Sequence, residues 1–456
     1  MPTRVIPGVE IQVIKEIVPR QLYPAGVVGM IGTADKGPVG KPIALTSYQE
    51  MKEKFLDKTS GSLIKDGKNA FLNGVFQVVA VRVAGTAGKP STVTLTGGKR
   101  NREVVRLTAK ESDAPIDIKV MKGASDNTVR IEILRDQERP EEYESVDMNP
   151  ANAFYLVKVI NDSSKWVTAE SIPAEPTPEF NPTPQEARIE ASALLPPGKD
   201  DYVKALEALE LETEIDVVYA CDNPDPEIHA AVNAHCENMS LGKEPKPLGP
   251  RIGVGTVGKD ESVEDIIRRV ERLSSDRFVL VAPHGVAGAV AGLLSKLNYF
   301  ESPTFKTLTG IADIEERYTP SEQMKLLSNG ILPVDAVKGR GIIVVKGITT
   351  SKEQISVMRV SDHAMRGIKN VADMFIGNLN NERNRVALRE RIIEFMIGME
   401  KEGAIVPSVD NTKPAYLVDV YSSQADFSQG IVRIDSAVRP VRAMDYIYAT
   451  LNVQAF

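Results

Sequence analysis

The sequence has few cysteines, a single tryptophan and no excess of basic residues. Its 456 residues include two cysteines, four histidines and one tryptophan. Two cysteines are too few for a disulfide scaffold. A formal net charge of −7 leaves no basic excess for nucleic acid phosphates. No apolar run reaches the roughly 18 residues of a membrane span, and residues 1–10 lack the apolar core of a signal peptide. We expect a protein made in a reducing cytoplasm, with no nucleic acid partner and no membrane insertion.

The sequence does contain the alternating helix and strand pattern of an α/β protein. Predicted helices and strands alternate over residues 201–345, which is typical of βαβ units and a mostly parallel sheet. The glycine-laced run 26–32 and the apolar run 76–83 supply further buried strands. Short period-2 segments over residues 88–165 predict a β-rich module, which a proline-rich connector follows.

These patterns predict a chain of several domains. They are an N-terminal linker strand (1–21), a discontinuous α/β core (22–87 with 196–345), an inserted β-rich domain with its connector (88–195), and an α+β C-terminal domain (346–456) that ends in a second linker strand (440–456). In the last domain we expect a helix with Ser361 as its N-cap and a second, arginine-rich helix.

Both ends of the chain have the period-2 pattern of a half-buried strand. The apolar residues that alternate with polar ones are Val9, Ile11 and Val13 near the start and Ile447, Ala449, Leu451 and Val453 near the end. Chain ends are usually disordered unless something holds them. These strands therefore pair either with another copy of the chain or with the sheet of their own chain, and the pattern fits both.

The second C-terminal helix begins with an unusual run of arginines. Arg383, Arg385 and Arg389 lie in its first turns, where positive charge opposes the helix dipole at a cost of about a few tenths of a kcal/mol each. Either neighbouring glutamates pair with them on a solvated face, or the helix docks onto an acidic partner.

Residues 253–258 read Gly-Val-Gly-Thr-Val-Gly, a GxGxxG motif between a predicted strand and a predicted helix. With Lys259 the run nearly makes a phosphate loop, but Asp260 stands where a magnesium-binding hydroxyl is required. Acidic residues in the next helical turns complement the helix dipole themselves. We interpret the motif as a tight turn before a self-capped helix.

Cys221, Asp222 and His284 follow predicted strands, at the sheet edge where α/β proteins bind ligands, and could make a nucleophilic hydrolase. Cys221 is equally a small buried apolar residue, and the sequence has no GxSxG elbow. His229 and His235 are six residues apart on one predicted helix, so they face different sides, which disfavours a zinc site. We expect no catalytic, cofactor-binding or metal-binding residues.

A series of short motifs follows one another along nearly the whole chain. They are Pro7-Gly8-Val9, VGMIGTADKGP (28–38), LTSY (45–48), VAVRV (79–83), DDY (200–202), GIIVVKGITT (341–350), VSD (360–362) and FIGN (375–378). In this order they resemble the sheath proteins of contractile tails, a family shared by myophages, R-type bacteriocins and phage-like contractile injection systems. The inserted module resembles that family in its position and its pattern of short strands more than in its residue identities.

The resemblance implies a non-enzymatic structural subunit whose α/β core is subtilisin-like in shape. Such subunits polymerise as stacked hexameric rings around an inner tail tube, and contract by rigid-body rearrangement to drive the tube through a target envelope. The resemblance makes the terminal strands intersubunit strands and makes Arg383, Arg385 and Arg389 the contacts to the tube, with Lys369 and Arg366 as second choices. The inserted domain would then face outward.

The implied partners are further copies of the chain, the inner tail tube protein, and baseplate and tail terminator proteins. Assembly would take place in the host or producer cytoplasm, giving a component of a virion tail or contractile particle. Two other classes stay open. One is a non-contractile capsid or shell protein, and the other is an α/β hydrolase or nucleotide-binding enzyme, which would depend on His284 or Lys259.

Overall fold

The computed structural model describes residues 26–56, 61–85, 91–98, 101–110, 115–125, 127–135, 139–190, 196–241, 248–314 and 316–448. Its strands are β1 (Val27–Gly32), β2 (Pro42–Leu45), β3 (Gln77–Arg82), β4 (Thr92–Gly97), β5 (Arg102–Ala109), β6 (Ile116–Lys122), β7 (Val129–Arg135), β8 (Glu141–Val146), β9 (Val167–Ser171), β10 (Gln185–Ile189), β11 (Val217–Ala220), β12 (Ile252–Thr256), β13 (Phe278–Ala282), β14 (Thr307–Leu308), β15 (Ile331–Val337), β16 (Gly341–Val344), β17 (Tyr416–Tyr421) and β18 (Arg433–Val438). Its α-helices are α1 (Tyr48–Phe55), α2 (Ser62–Leu72), α3 (Leu156–Ser163), α4 (Lys199–Ala208), α5 (Pro226–Leu241), α6 (Val263–Val270), α7 (Ala287–Lys296), α8 (Pro320–Ser328), α9 (Ile355–Asp373), α10 (Glu382–Lys401) and α11 (Gln424–Ser428).

The chain divides into two compact units, each with its own structure. The described part of the larger unit comprises residues 26–362 and 441–448, and the described part of the smaller unit comprises residues 363–440. The division falls within helix α9.

A nine-stranded sheet forms the centre of the larger unit, in the order β14-β16-β15-β13-β12-β11-β1-β3-β2. The six strands from β15 to β3 pair in parallel, whereas β2, β14 and β16 pair antiparallel at the two edges. The prediction of a mixed α/β fold with a large, mostly parallel sheet is therefore confirmed.

Both faces of this sheet are buried, which explains why its strands read as continuous apolar runs. In β1, Val28 and Met30 enter one apolar cluster with α1, α2 and α7. The alternate residues Val27 and Ile31 enter a second cluster with α4, α5, α6 and α8 on the opposite face. The period-2 geometry of a strand sends neighbouring side chains to opposite layers, so one strand supports two cores.

Strands β4–β10 form two antiparallel sheets within the larger unit, in the orders β10-β6-β7-β8 and β4-β5-β9. They enclose an apolar cluster of their own, to which α3 and Trp166 contribute. The outward faces carry cross-strand ion pairs: Lys119–Glu186 at 3.5 Å, Asp117–Arg188 at 3.4 Å and Arg106–Glu170 at 3.2 Å. The domain boundaries placed around this region from the sequence stay predictions.

The smaller unit contains the end of α9, helix α10 and the antiparallel pair β17–β18. Helix α10 buries one stripe, formed by Leu388, Ile392, Met396 and Met399. The Phe395 ring lies against Gly367 of α9, at a position where a Cβ atom would occupy the space of the ring. This close approach needs a residue without a side chain.

Two details of the C-terminal region differ from the sequence analysis or lie beyond the described residues. Helix α9 begins at Ile355, so Ser361 is not its N-cap; the Ser361 hydroxyl instead donates to the Val357 carbonyl one turn earlier. Ile447 belongs to no strand within the described ranges and is 82% exposed. The other residues proposed for intersubunit strands, Val9, Ile11, Val13, Ala449, Leu451 and Val453, lie outside the described residues.

Candidate functional site

Two of the three residues singled out at the carboxyl edge of the sheet meet in the structure. Asp222 follows β11 and His284 follows β13, and the His284 Nε2 atom lies 2.8 Å from Asp222 Oδ1. Lys65 of α2 places its Nζ atom 3.3 Å from the other carboxylate oxygen. The hydrogen bond with His284, together with the charge of Lys65, holds the pKa of Asp222 below its usual range. Asp222 is therefore an ionised carboxylate that bridges three elements of the core.

Cys221 does not contribute a nucleophile to this edge. Its side chain is buried, and burial, followed by the negative charges of Asp66 and Asp222, raises the pKa of the thiol well above its ordinary value. A thiol that stays protonated is a poor nucleophile. Cys221 thus behaves as a small apolar residue, the second of the two interpretations that the sequence allowed, and the hydrolase alternative lacks its reactive group.

Asp66 is an unexpected member of this region that the sequence analysis missed. It is fully buried, and the Tyr219 hydroxyl donates to Asp66 Oδ2 at 2.9 Å. The same hydroxyl oxygen accepts from the Asp222 N–H at 3.1 Å. Burial raises the pKa of Asp66 to about 7. The helical spacing of Leu63, Asp66 and Ala70, all buried in α2, is the sequence signal that could have placed this carboxyl in the core.

The glycine motif is a self-capped turn, as the sequence predicted. The Gly258 N–H donates to the Glu261 carboxylate at 2.7 Å, and Glu261 also pairs with Arg269 at 2.6 Å. A carboxylate of the chain itself thus occupies the position that an anion would need. Gly255 serves packing, because a Cβ atom there would lie 2.6 Å from the Phe278 ring.

The two histidines of α5 serve separate neighbours. His229 Nε2 lies 2.9 Å from the Asn223 carbonyl oxygen, and burial lowers the pKa of His229 to about 4. His235 Nε2 lies 3.2 Å from the buried guanidinium of Arg251. Within the described residues, no group of three or more potential metal ligands is present.

The arginines of α10 fall into two kinds. Arg385 Nη1 donates to the Asn380 side-chain oxygen at 2.8 Å, and Arg389 Nε donates to the Val418 carbonyl at 3.2 Å. Both are thus oriented by contacts inside the smaller unit. The Arg383 side chain is exposed, and no hydrogen bond or ion pair joins it to another described residue. Of the three predicted tube contacts, it is the one most available to a partner.

The second choices for that role are less accessible. Arg366 is buried, with 7% of its surface exposed. Lys369 forms an i,i+4 ion pair with Asp373, with the Nζ atom 2.6 Å from the carboxylate oxygen. Neither side chain presents a free cation to a partner in this structure.

The protein is thus a mixed α/β protein. Within the described residues, the charged groups at the sheet edge and around α6 pair with one another. Comparison with protein families then identifies the chain. A model described as the phage tail sheath protein central domain matches residues 196–350, and a model of the phage tail sheath C-terminal domain matches residues 349–454. The chain belongs to the phage tail sheath family.

Individual relatives agree with this assignment. The tail sheath protein of Staphylococcus phage Twort is 32% identical over 129 residues, which cover 25% of this chain and 21% of that protein. The aligned part is thus about a fifth of the relative's length. The sheath tail protein of Listeria innocua is 14% identical, with a TM-score of 0.64 over 93% of each chain. The anti-feeding prophage helical sheath in its contracted state is 14% identical, with a TM-score of 0.56 over 99% of each chain.

These structures share the fold along almost the full length of the chain. Among the helices of the described ranges, none is both long enough and apolar enough to cross a membrane.

Proposed function

We propose that this chain is the structural subunit of a contractile tail sheath. It polymerises as stacked hexameric rings around an inner tail tube, and rigid-body rearrangement of the polymer drives the tube through a target envelope. The observation that carries the proposal is the match to both the central and the C-terminal sheath domains, which together span residues 196–454. Baseplate and tail terminator proteins would cap the polymer.

The larger unit serves as a rigid body of this machine. Its sheet is buried on both faces, and packed interiors resist gradual deformation. We regard the core as subtilisin-like in shape but without a nucleophilic site at its sheet edge, because Cys221 is buried and Asp222 is held by His284 and Lys65. Contraction would draw its energy from the packing of the lattice, in which identical contacts repeat without closing.

Terminal strands are proposed to link neighbouring subunits. The pair β17–β18 has two strands within the described residues, and an isolated two-stranded sheet is marginal in water. Its outer edges offer backbone groups to which an added strand can bond. The proposed donors are the apolar-patterned ends, represented by Val9, Ile11 and Val13 and by Ile447, Ala449, Leu451 and Val453.

The start of α10 is the proposed contact to the inner tube. Arg383 lines a shallow depression together with Glu382, Val386, Ala387 and Glu390. One cation and two carboxylates together give little net attraction to a charged partner. The expected role of Arg383 is therefore to fix the register in which the partner binds. We therefore expect Arg383 to form one specific ion pair with the tube, whereas Arg385 and Arg389 stabilise the helix that presents it.

The β-rich part of the larger unit is proposed to face outward from the sheath. Its outward-facing residues on β6, β10, β5 and β9 pair with one another across strands. These charges satisfy one another within the subunit and offer little attraction to a neighbouring subunit. Lattice contacts are therefore expected elsewhere.

Electron microscopy of the purified protein in negative stain tests the proposal. We expect long striated sleeves, and we expect a variant lacking residues 447–456 to remain a folded, soluble subunit that forms no sleeves. Leu451→Asp should block assembly in the same way, because it puts a charge on the apolar face of the donated strand. Asn452→Asp is the matched control, since it puts the same charge on the polar face.

Three outcomes would contradict the proposal in different ways. Small monodisperse particles from the full chain would exclude a sheath. Sleeves with a single lattice spacing under all conditions would favour a non-contractile shell protein. Normal sleeves from the shortened variant would leave a sheath but exclude strand donation by the C-terminus.

A further inference from the structure

The segment that follows the smaller unit is held by the larger one. The smaller unit ends at Pro440, and residues 441–448 belong with the larger unit. They lie along the connection between β16 and α9, which runs from Val345 to Gln354. Three side chains of this connection, Lys346, Glu353 and Gln354, make the contacts, and we refer to these contacts together as the tail clip.

Gln354 provides the central contact of the tail clip. Its side-chain oxygen accepts from the Ala443 N–H at 2.9 Å, and its side-chain nitrogen donates to the Ala443 carbonyl at 3.1 Å. The same nitrogen lies 2.7 Å from Asp445 Oδ2. One amide side chain thus bonds both backbone groups of Ala443, as a neighbouring strand would. Gln354 is buried, which fixes the position of its amide.

Charged contacts flank this amide on both sides. Arg442 pairs with Glu353 through two parallel hydrogen bonds of 2.8 and 2.9 Å, a geometry that restricts both partners. Lys346 Nζ lies 3.3 Å from Asp445 Oδ2 and 3.1 Å from the Tyr446 hydroxyl, and 4.9 Å from the centre of the Tyr446 ring.

The contacts cover the first part of the predicted linker strand (440–456) and end before its apolar-patterned residues, which start at Ile447. Within the described residues, Ile447 is 82% exposed and Tyr448 is 95% exposed, whereas the side chain of Asp445 is 9% exposed. The connection that carries the tail clip is itself bonded to the central sheet, because the Thr350 N–H donates to the Phe278 carbonyl of β13 at 2.8 Å. The segment therefore changes from held to exposed at a defined position.

We propose that Lys346, Glu353 and Gln354 are positioning residues for the donated C-terminal strand. They fix its departure point at Ile447 and tie it to the larger unit, although the smaller unit precedes it in sequence. A strand that leaves from a fixed point searches a smaller volume, so its effective concentration at a neighbouring subunit rises. A pull on the strand is borne by the nine-stranded sheet. The proposal rests on strand donation, which belongs to the proposed function.

Hydrogen exchange measured by mass spectrometry tests the tail clip in the unassembled subunit. In the full chain, kept dilute to prevent assembly, we expect the Ala443 amide, which donates to Gln354, to exchange about tenfold more slowly than the amides of residues 447–456. Gln354→Ala and Glu353→Arg should each remove this difference. The double variant Glu353→Arg with Arg442→Glu should restore it, because the ion pair is re-formed with exchanged charges.

Met444→Ala is the matched control, since Met444 lies within the held segment but is 87% exposed. We expect it to leave both exchange and assembly unchanged. Sleeve formation, followed by light scattering, should slow about tenfold or more in Gln354→Ala and Glu353→Arg and recover in the charge-swapped double variant. Thermal unfolding of each variant checks that the core remains intact.

The outcomes separate the two proposals. Equal exchange at the Ala443 amide and at the amides of residues 447–456 in the full chain would refute the tail clip. Faster exchange in the variants with unchanged rates of sleeve formation would refute its positioning role. A full chain that forms no sleeves would overturn the proposed function, whereas the exchange measurements would still decide whether the clip exists.

Discussion

Asp66→Asn is the substitution whose effect follows most directly from the structure. Asp66 is buried beneath the carboxyl edge of the sheet, where it accepts a hydrogen bond from Tyr219. Burial raises its pKa from 3.8 to about 7, so the folded protein holds the carboxyl proton more tightly than the unfolded chain does. Asparagine keeps the shape and the acceptor oxygen but cannot ionise.

The sign and size of the effect come from linkage between protonation and folding. The stability that neutral Asp66 contributes is fully present below pH 3.8 and is lost as the pH rises to about 7. Each pKa unit corresponds to about 1.4 kcal/mol, so the total loss is about 4 kcal/mol. Between pH 5 and pH 8 the share of that loss is ~2.5 kcal/mol. Asp66→Asn should not lose this stability, because asparagine does not ionise.

Urea unfolding of the soluble subunit that lacks residues 447–456 gives the measurement. We expect the free energy of unfolding of Asp66→Asn, relative to that of the parent, to increase by ~2.5 kcal/mol as the pH rises from 5 to 8. Asp222→Asn is the control of opposite sign, because the pKa of Asp222 is lowered and its contribution is lost only as the pH falls into the acid range. A constant difference between Asp66→Asn and the parent at all pH values would refute the reasoning.

Three further predictions concern the glycine motif and helix α10. Gly255→Ala should lower the free energy of unfolding by about 1–3 kcal/mol, because its Cβ atom would lie 2.6 Å from the Phe278 ring; Gly398→Ala, in open space on α10, should raise it by up to ~1 kcal/mol in the same urea titration. Lys259→Ala should change neither stability nor sleeve formation, since Lys259 is exposed; loss of sleeves would revive the nucleotide-binding alternative. Arg383→Glu should reduce co-sedimentation of subunits with the inner tube protein without lowering the melting temperature, and Arg383→Lys should retain most of it; equal co-sedimentation of the reversed variant would exclude the proposed contact.

The class of fold could be predicted because its signals are local. The run Val27–Gly32 is apolar on both alternating faces, and a strand with two buried faces requires layers of helices on each side. The turn at Gly258 could also be interpreted from sequence, because the carboxylate that caps it lies three residues away. In both cases the partners are close in the chain or are defined by periodicity alone.

The start of α9 was misplaced for a related reason. Ser361 has the chemistry of an N-cap, but a serine hydroxyl can equally bond a carbonyl one turn earlier inside a helix. Propensity cannot distinguish these two uses. The packing of Ile355 and Val360, both buried, extends the helix two turns further toward the N-terminus.

The sequence by itself determined the layered α/β core, the self-capped glycine turn and the apolar pattern of both ends, because each follows from the spacing of residues along the chain. Only the tertiary structure decided that Asp222 meets His284, that Asp66 is buried under Tyr219, and that Gln354 bonds Ala443. These partners are 62, 153 and 89 residues apart. Their encounter depends on strand order and helix packing, which no local periodicity encodes.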